Sequence, residues 1–419
     1  MNGPAANEIP RSIKDDFPVL NQTSNDRPLI YLDSGNTSQK PQSVIDAMNS
    51  YYETINANVH RGSYDIAVKA TDALEGARAK VGRFINAPSS QEVVFTKNAT
   101  EAMNLLAKSW GRANLESGDV VVISEMEHHA NIVPWHMLAE EIGIELRWIP
   151  VTEEGHLNLT NLDELLSGAK LLSVTAMSNV LGTINDIPAL ADAAHRHGAL
   201  CAVDGSQYVP HLPTDVQAMG VDFLVFTGHK MLGPMGIGVL WAKAEILNDM
   251  PPFLGGGEMI LNVTKDGFTT TEIPWKFEAG TPMVAEAVGL GAAIDYLTNL
   301  GMENVRQHEV ELTEYALRTL NERFGDKITI HGPQVAEQRG GVLSFVYGDP
   351  DARLHPHDIA QVLDQAGVCV RAGHHCAKPL MQVMSVPATS RASLYVYNDE
   401  SDVDALADAL EATSDIFVF

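Results

Sequence analysis

Two stretches of the chain decide the fold, and each is an apolar run that leads into polar residues. Ala199-Leu-Cys-Ala-Val203 leads into Asp204-Gly-Ser-Gln207, and Phe223-Leu-Val-Phe226 leads into Thr227-Gly-His-Lys230. Short apolar runs bounded by turn-forming residues predict buried strands. The polar residues are therefore expected at the ends of two strands, where a ligand could reach them.

The same pattern recurs earlier in the chain. Further apolar runs lie at residues 93–95, 120–123 and 171–175, separated by helical stretches such as Thr100 to Leu115 and Ala189 to His197. This alternation predicts an α/β fold with a mostly parallel, doubly wound sheet. Ligands of such sheets bind outside the carboxyl ends of the strands. Six polar side chains are expected to meet there: His128, Asn179, Asp204, Gln207, His229 and Lys230.

A second, smaller α+β domain is predicted from the rest of the chain. Residues 301–419 contain a long helical stretch from Glu303 to Phe324, a strand-like run at 341–346 and a terminal helical stretch near Ser401 to Thr413. We assign residues 30–300 to a large domain, and residues 1–29 and 301–419 to the small one.

Composition narrows the class of protein. A formal charge of −26 argues against a surface for nucleic acid or anionic membranes. The apolar runs are far shorter than the ~18 residues of a membrane span, and Met1 to Arg11 show no signal-peptide pattern. Cys201, Cys369 and Cys376 are too few for a disulfide framework, so a cytoplasmic location is expected.

Lys230 and Asp204 suggest pyridoxal phosphate chemistry. A lysine amine can form an imine with the cofactor's aldehyde, and a carboxylate can keep the pyridine nitrogen protonated so that the ring accepts electrons. Each residue alone would be weak evidence, because an isolated lysine is usually solvated and Asp-Gly usually forms a turn. Their positions among other polar strand ends support the interpretation.

Cys376 differs from the other two cysteines in its surroundings. Cys201 and Cys369 lie within apolar runs, which predicts inert core residues. Cys376 follows two histidines and lies five residues after Arg371, a cationic setting that favours the thiolate. The histidine pairs at 128–129 and 374–375 could instead bind zinc. No companion pair has structural-zinc spacing, so no metal site is predicted.

Nine motifs, taken in order, resemble those of the group II cysteine desulfurases of the SufS type. They are Tyr31-Leu-Asp-Ser, Asn58-Val-His-Arg-Gly62, Met126-Glu-His-His-Ala-Asn-Ile-Val-Pro-Trp135, Ser178-Asn-Val-Leu-Gly182, Val203-Asp-Gly-Ser-Gln207, Thr227-Gly-His-Lys230, Gly255-Gly-Gly-Glu-Met-Ile260, Phe277-Glu-Ala-Gly-Thr-Pro282 and Arg371-Ala-Gly-His-His-Cys376. The resemblance extends from about Asp15 to the C-terminus and implies fold type I of the pyridoxal-phosphate-dependent transferases.

The resemblance implies three catalytic residues. Lys230 would hold the cofactor as an imine, and His128 would stack on its ring and move protons. The Cys376 thiolate would attack the sulfur of L-cysteine, so that L-alanine leaves and a persulfide stays on Cys376. The sulfur would go to an acceptor protein for iron–sulfur cluster assembly.

Contacts to the cofactor and the substrate are also implied by the resemblance. Asp204 would pair with the pyridinium nitrogen. Asn179 and Gln207 would hydrogen-bond the phenolic oxygen. The phosphate would be bound by Ala99, Thr100, Thr227 and His229. Thr281 would reach the phosphate of a neighbouring subunit, which implies a homodimer. Arg391 would clamp the substrate carboxylate, and Arg371 and Asn36 would line the pocket near the thiol.

The cysteine segment bears on the partner. Four residues separate Arg371 from Cys376, and Pro379 follows soon after. A segment this short and restrained cannot carry the Cys376 sulfur far from the site. We therefore expect an acceptor protein to bind close to Cys376. The run His355-Pro-His-Asp358 resembles the subgroup served by the zinc-containing acceptor SufU, in which His357 would replace a zinc ligand. A SufE-type acceptor is the less favoured alternative, and His357 could simply stand near a helix start.

Three other functions are also compatible with the sequence. Asn36 stands where alanine is commoner in the family, which leaves the choice between sulfur and selenium, and thus selenocysteine lyase activity, unresolved. Another fold-type I lyase or aminotransferase would use Lys230 and Asp204 but would not need Cys376. A non-catalytic assembly partner is disfavoured because Lys230 and Asp204 are both present.

Overall fold

A seven-stranded sheet forms the centre of the computed structural model, which describes residues 9–416. Across the sheet the strand order is Val93–Thr96, Gly238–Ala242, Phe223–Thr227, Leu200–Asp204, Ala169–Thr175, Val120–Ser124 and Glu145–Ile149. Gly238–Ala242 runs antiparallel to both neighbours, and the other neighbouring strands are parallel. The mostly parallel sheet predicted from the sequence is confirmed, with the antiparallel strand as an addition.

Helices cover both faces of this sheet, which is why its central strands are buried and mostly apolar. Val120 and Val122 belong to one core, and Val121 and Ile123 to the other. Residues of Gln42–Thr54, Asp65–Phe84, Ile187–Arg196 and Val284–Leu300 pack in the first core, and residues of Ala99–Leu105, Val133–Ile142 and Ala244–Asp249 in the second. Fully burying each large apolar side chain contributes about 1.5–3 kcal/mol, so the strand ends stand on a rigid support.

The helix predicted from Thr100 to Leu115 is continuous but not uniform. Ala99–Leu105 is α-helical, Leu106–Gly111 is a π-helical turn, and Arg112–Asn114 is α-helical again. The hydroxyl of Ser109, within the wide turn, donates a hydrogen bond to the carbonyl of Pro251.

A second, antiparallel sheet lies towards the C-terminus. Its strands, in spatial order, are Ile328–Ile330, Val342–Asp349, Thr389–Ser393 and Arg371–Gly373, with Ala352–Arg353 paired to the second of them. Met302–Phe324, Pro356–Gln365 and Glu400–Ile416 pack around one apolar core with it. Ile30–Tyr31 pairs in parallel with Val368–Cys369, so an early segment of the chain lies against the later one.

The predicted domain limits at residues 29/30 and 300/301 stay a prediction. Residues 1–8 and 417–419 of the predicted small domain lie outside the described residues. Shorter elements include the hairpin Ile260–Val263/Phe268–Thr270, the strand pair Thr23–Ser24/Arg27–Pro28, and the helices Leu162–Leu166, Val216–Met219 and Lys378–Val383. Within the described part of the chain, every helix is too short or too polar to cross a membrane.

Candidate active site

A crevice of about 190 Å³ lies at the carboxyl ends of the central strands. Its lining includes ten residues singled out from the sequence: Asn36, Ala99, Thr100, His128, Asn179, Asp204, Gln207, Thr227, His229 and Lys230. Five further lining residues were not anticipated: Asn98, Ala130, Thr175, Met177 and Ser206. The convergence of strand ends therefore brings together most of the expected side chains in one place.

Lys230 lies on a single 3-10 turn, Gly228–Lys230, directly after a buried strand. The carbonyl of His229, next to it, accepts hydrogen bonds from Thr37 Oγ1 at 3.0 Å, Ser38 Oγ at 3.1 Å and Lys40 Nζ at 3.0 Å. These contacts fix the turn. Burial lowers the pKa of Lys230 to about 8, against an opposing effect of the Asp204 carboxylate. The amine is therefore partly neutral near neutral pH, as a nucleophilic amine must be.

His128 faces the crevice as a neutral ring. Its Nδ1 accepts a hydrogen bond from the backbone N–H of Ala130 at 3.0 Å, so the proton of the neutral imidazole lies on Nε2. Burial, and then the charge of Lys230, lowers the pKa of His128 to about 3. His128 can therefore donate a hydrogen bond or its proton from Nε2 without carrying a resident charge.

Behind His128 lies Glu127, a fully buried carboxyl group that the sequence analysis missed. It accepts hydrogen bonds from Ser124 Oγ at 2.5 Å, Asn131 Nδ2 at 2.7 Å and the Thr175 N–H at 3.0 Å. Burial raises its pKa to about 8. Glu127 thus links the ends of two neighbouring strands, at Ser124 and Thr175. In the sequence, its position next to His128 was the only indication that it belongs to the site.

At another end of the crevice, a helix begins with free amides. Asn98 caps this helix by accepting from the N–H of Glu101 at 2.9 Å. Among the described residues, the N–H groups of Ala99 and Thr100 have no hydrogen-bond acceptor. Gly238 packs so closely here that a Cβ would lie 2.6 Å from Asn98 Cα. The exposed amides and the helix dipole favour an anion at this point.

Cys376 lies on a short, tightly held loop between the strand Arg371–Gly373 and the helix Lys378–Val383. The preceding residue, His375, has its carbonyl bound by Asn179 Nδ2 at 2.7 Å. Asn179, expected to contact a ligand, thus also holds the cysteine loop. Cys376 is partly exposed and lies near enough to Lys230 and Arg391 to interact electrostatically with both cationic groups.

Arg391 is buried beside this loop, and one of its guanidinium nitrogens, Nε, has no partner among the described residues. Its Nη1 donates to the Asn179 carbonyl at 2.9 Å, and its Nη2 pairs with Asp33 Oδ1 at 3.3 Å. Arg371 lies directly opposite Arg391 in the antiparallel pair. Two guanidinium groups therefore face one carboxylate, and this surplus of positive charge suits a second, incoming carboxylate.

Asp33 was not identified as a site residue from the sequence. Burial raises its pKa, while Arg391 and then Arg371 lower it. It lies within the Tyr31-Leu-Asp-Ser motif, but only the tertiary structure brings it to Arg391.

Two predicted residues lie away from the crevice. Thr281 is exposed and lines a separate surface pocket with Phe95 and Pro282. His357 is exposed at the start of the helix Pro356–Gln365, with its ring stacked on that of His355 at a centroid distance of 5.3 Å. Within residues 9–416, no cluster of three or more His, Cys, Asp or Glu side chains has the arrangement of a metal site.

Comparison with known proteins identifies related chains. A family model described as aminotransferase class-V matches residues 30–406. The chain is 51% identical over 412 residues to a protein of Streptomyces coelicolor named probable cysteine desulfurase, with 97% of both chains covered.

Solved structures agree with this relationship. The apo structure of a cysteine desulfurase from Thermococcus onnurineus NA1 has a TM-score of 0.91 at 37% identity and covers 97% of this chain and 98% of its own. The cysteine desulfurase CsdA of Escherichia coli, in its S-sulfonic acid form, has a TM-score of 0.89 at 36% identity and covers 98% of this chain and 100% of its own. The predicted fold type I is confirmed.

Proposed function

The chain belongs to the aminotransferase class-V family, and from that premise we propose that it is a pyridoxal-phosphate-dependent cysteine desulfurase. It converts L-cysteine to L-alanine and retains the sulfur as a persulfide on Cys376. The observation that carries the proposal is a cysteine held on a short loop close to Lys230 and Arg391, beside a crevice that also contains Asp204.

The donors and acceptors of the crevice fit pyridoxal phosphate. The Lys230 amine would bond to its aldehyde, and the Asp204 carboxylate would pair with its ring nitrogen. The free amides of Ala99 and Thr100, with Thr227 and His229, form an anion site for its phosphate. Gln207 Oε1 is buried and has no partner among the described residues, so it remains available to a ligand. Bound pyridoxal phosphate supplies the electron sink that makes carbon–sulfur cleavage feasible.

The protein's own side chains then bind the substrate and move protons. The substrate carboxylate pairs with Arg391, whose Nε is free and whose Nη2 is shared with Asp33. His128 transfers a proton between its Nε2 and the substrate bound in the crevice. The Cys376 thiolate forms a sulfur–sulfur bond as the carbon–sulfur bond of the substrate breaks, and the alanine carbon takes up a proton. Asn36, which also lines the crevice, contacts the substrate near the thiol.

A homodimer of the SufS type is part of the proposal. Thr281 is exposed and lies away from the crevice of its own chain, which supports a role at the site of a partner subunit. The hairpin Ile260–Val263/Phe268–Thr270 exposes Leu261, Val263 and Phe268, and monomers seldom leave such an apolar patch uncovered. The few, unpaired cysteines support a reducing, cytoplasmic location.

The acceptor is proposed to be a SufU-type zinc protein that serves iron–sulfur cluster assembly. His357 is exposed, and its ring is available as a zinc ligand. His357→Ala should reduce acceptor-stimulated turnover by about tenfold or more and leave turnover with a small-molecule reductant unchanged. His355→Ala, which removes the stacked neighbour, is the matched control. Equal stimulation of the His357 variant and the wild type would exclude this role.

Cofactor uptake should depend on pH through Lys230. Because the pKa of Lys230 is lowered to about 8, the fraction of its amine that is neutral falls about tenfold for each pH unit below that value. Stopped-flow absorbance should show that the cofactor-free protein binds pyridoxal phosphate faster as pH rises from 6 to 8, with a plateau above. A midpoint above pH 10 would contradict the assigned environment of Lys230.

The direct test is anaerobic conversion of L-cysteine by the purified, cofactor-loaded protein. We expect equal amounts of L-alanine and, with a reductant, sulfide. Turnover of selenocysteine without turnover of cysteine would favour selenocysteine lyase instead.

A further inference from the structure

We propose that the imidazole of His129 is a positioning residue that holds the Cys376 loop for sulfur transfer, an inference that rests on the proposed function. His129 contacts the loop at the cysteine itself and two residues after it. Its backbone N–H donates to the carbonyl of Cys376 at 2.7 Å, and its ring Nε2 accepts from the backbone N–H of Lys378 at 3.0 Å. One residue therefore holds the loop from the Cys376 carbonyl to Lys378.

The loop needs such contacts because its backbone is in a disfavoured conformation. His375 has φ +50° and Cys376 has φ +55°, so two successive residues with a Cβ occupy the left-handed region. Such conformations persist only where the surroundings determine them. Asn179 Nδ2 holds the carbonyl of His375 at 2.7 Å on one side, and His129 supplies the contacts on the other.

The ring contact specifies the state of the imidazole. Because Nε2 accepts an N–H, the ring is neutral and its proton lies on Nδ1. Burial lowers the pKa of His129, and nearby His374 and Lys378 lower it further. The ring of His374 lies 5.8 Å away, centroid to centroid. His129 thus serves as a hydrogen-bond acceptor for the loop, a role distinct from that of His128 in the crevice.

Two variants of His129 distinguish the effect of losing this hydrogen bond from the effect of losing side-chain volume. His129→Leu fills similar space without an acceptor, whereas His129→Gln places an amide oxygen near the position of Nε2. In the holoenzyme, amide hydrogen exchange at Lys378 should be about tenfold faster for the Leu variant and close to wild type for the Gln variant, because one hydrogen bond is lost only in the former. The kcat for alanine formation from L-cysteine should fall about tenfold in the Leu variant, with KM within about twofold.

Unchanged exchange at Lys378 in the Leu variant would overturn the proposal. The proposal would also be overturned if the Gln variant matched the Leu variant in both amide exchange and kcat. That result would indicate that the imidazole itself is needed, whether or not an acceptor is present. If the wild type forms no alanine from L-cysteine, the proposed function fails. The exchange measurement would then still decide whether His129 holds the loop.

Discussion

Cys376→Ser is expected to abolish alanine formation from L-cysteine while cofactor binding is retained. The hydroxyl cannot replace the thiolate as the nucleophile that takes up sulfur, so the rate should fall by at least roughly 10³-fold. Cys376 does not line the crevice around Lys230 and Asp204, so the absorbance spectrum of the bound cofactor should not change. Anaerobic alanine formation and the spectrum are the two measurements.

The matched control for this prediction is Cys369→Ser. Cys369 is a partly buried cysteine on a neighbouring strand, and the substitution makes the same chemical change outside the loop. It should leave turnover near wild type. Equal alanine formation by the wild type and the Cys376 variant would refute persulfide formation on Cys376. The assignment would then move to selenocysteine or another amino-acid substrate.

Lys230→Ala is expected to eliminate covalent attachment of the cofactor and to lower turnover by at least roughly 10³-fold. Its amine is the nucleophile that faces the crevice, and no other lysine lines it within the described residues. Borohydride reduction followed by mass spectrometry should find the cofactor on Lys230 of the wild type and on no residue of the variant.

Lys40→Met provides a stringent control because the two amines share a similar environment. Burial lowers the pKa of Lys40 to about 8, close to that of Lys230. Lys40 Nζ is bound to the carbonyl of His229, and Lys40 does not line the crevice. The cofactor should therefore stay covalently bound in this variant. Cofactor attached to Lys40 in either protein would show that the lysine was wrongly assigned.

Much of the crevice was predictable from strand ends. Asp204 and Lys230 follow buried runs, and in a parallel sheet the carboxyl ends of such runs meet at one edge. The antiparallel strand Gly238–Ala242 was missed, since a five-residue apolar run does not reveal its direction. Thr389–Ser393, which carries Arg391, was also missed as a strand because its sequence is polar although all five residues are buried.

The sequence by itself determined the mostly parallel α/β fold and most of the side chains at the edge of its sheet, because burial on two faces imposes a local pattern on most of the strands. Only the tertiary structure decided which distant groups meet: Asp33 with Arg391, Asn179 with His375, and His129 with Lys378. These contacts join residues that are 196 to 358 positions apart in the chain. No local periodicity encodes such pairs, since they depend on how the two sheets and their loops pack together.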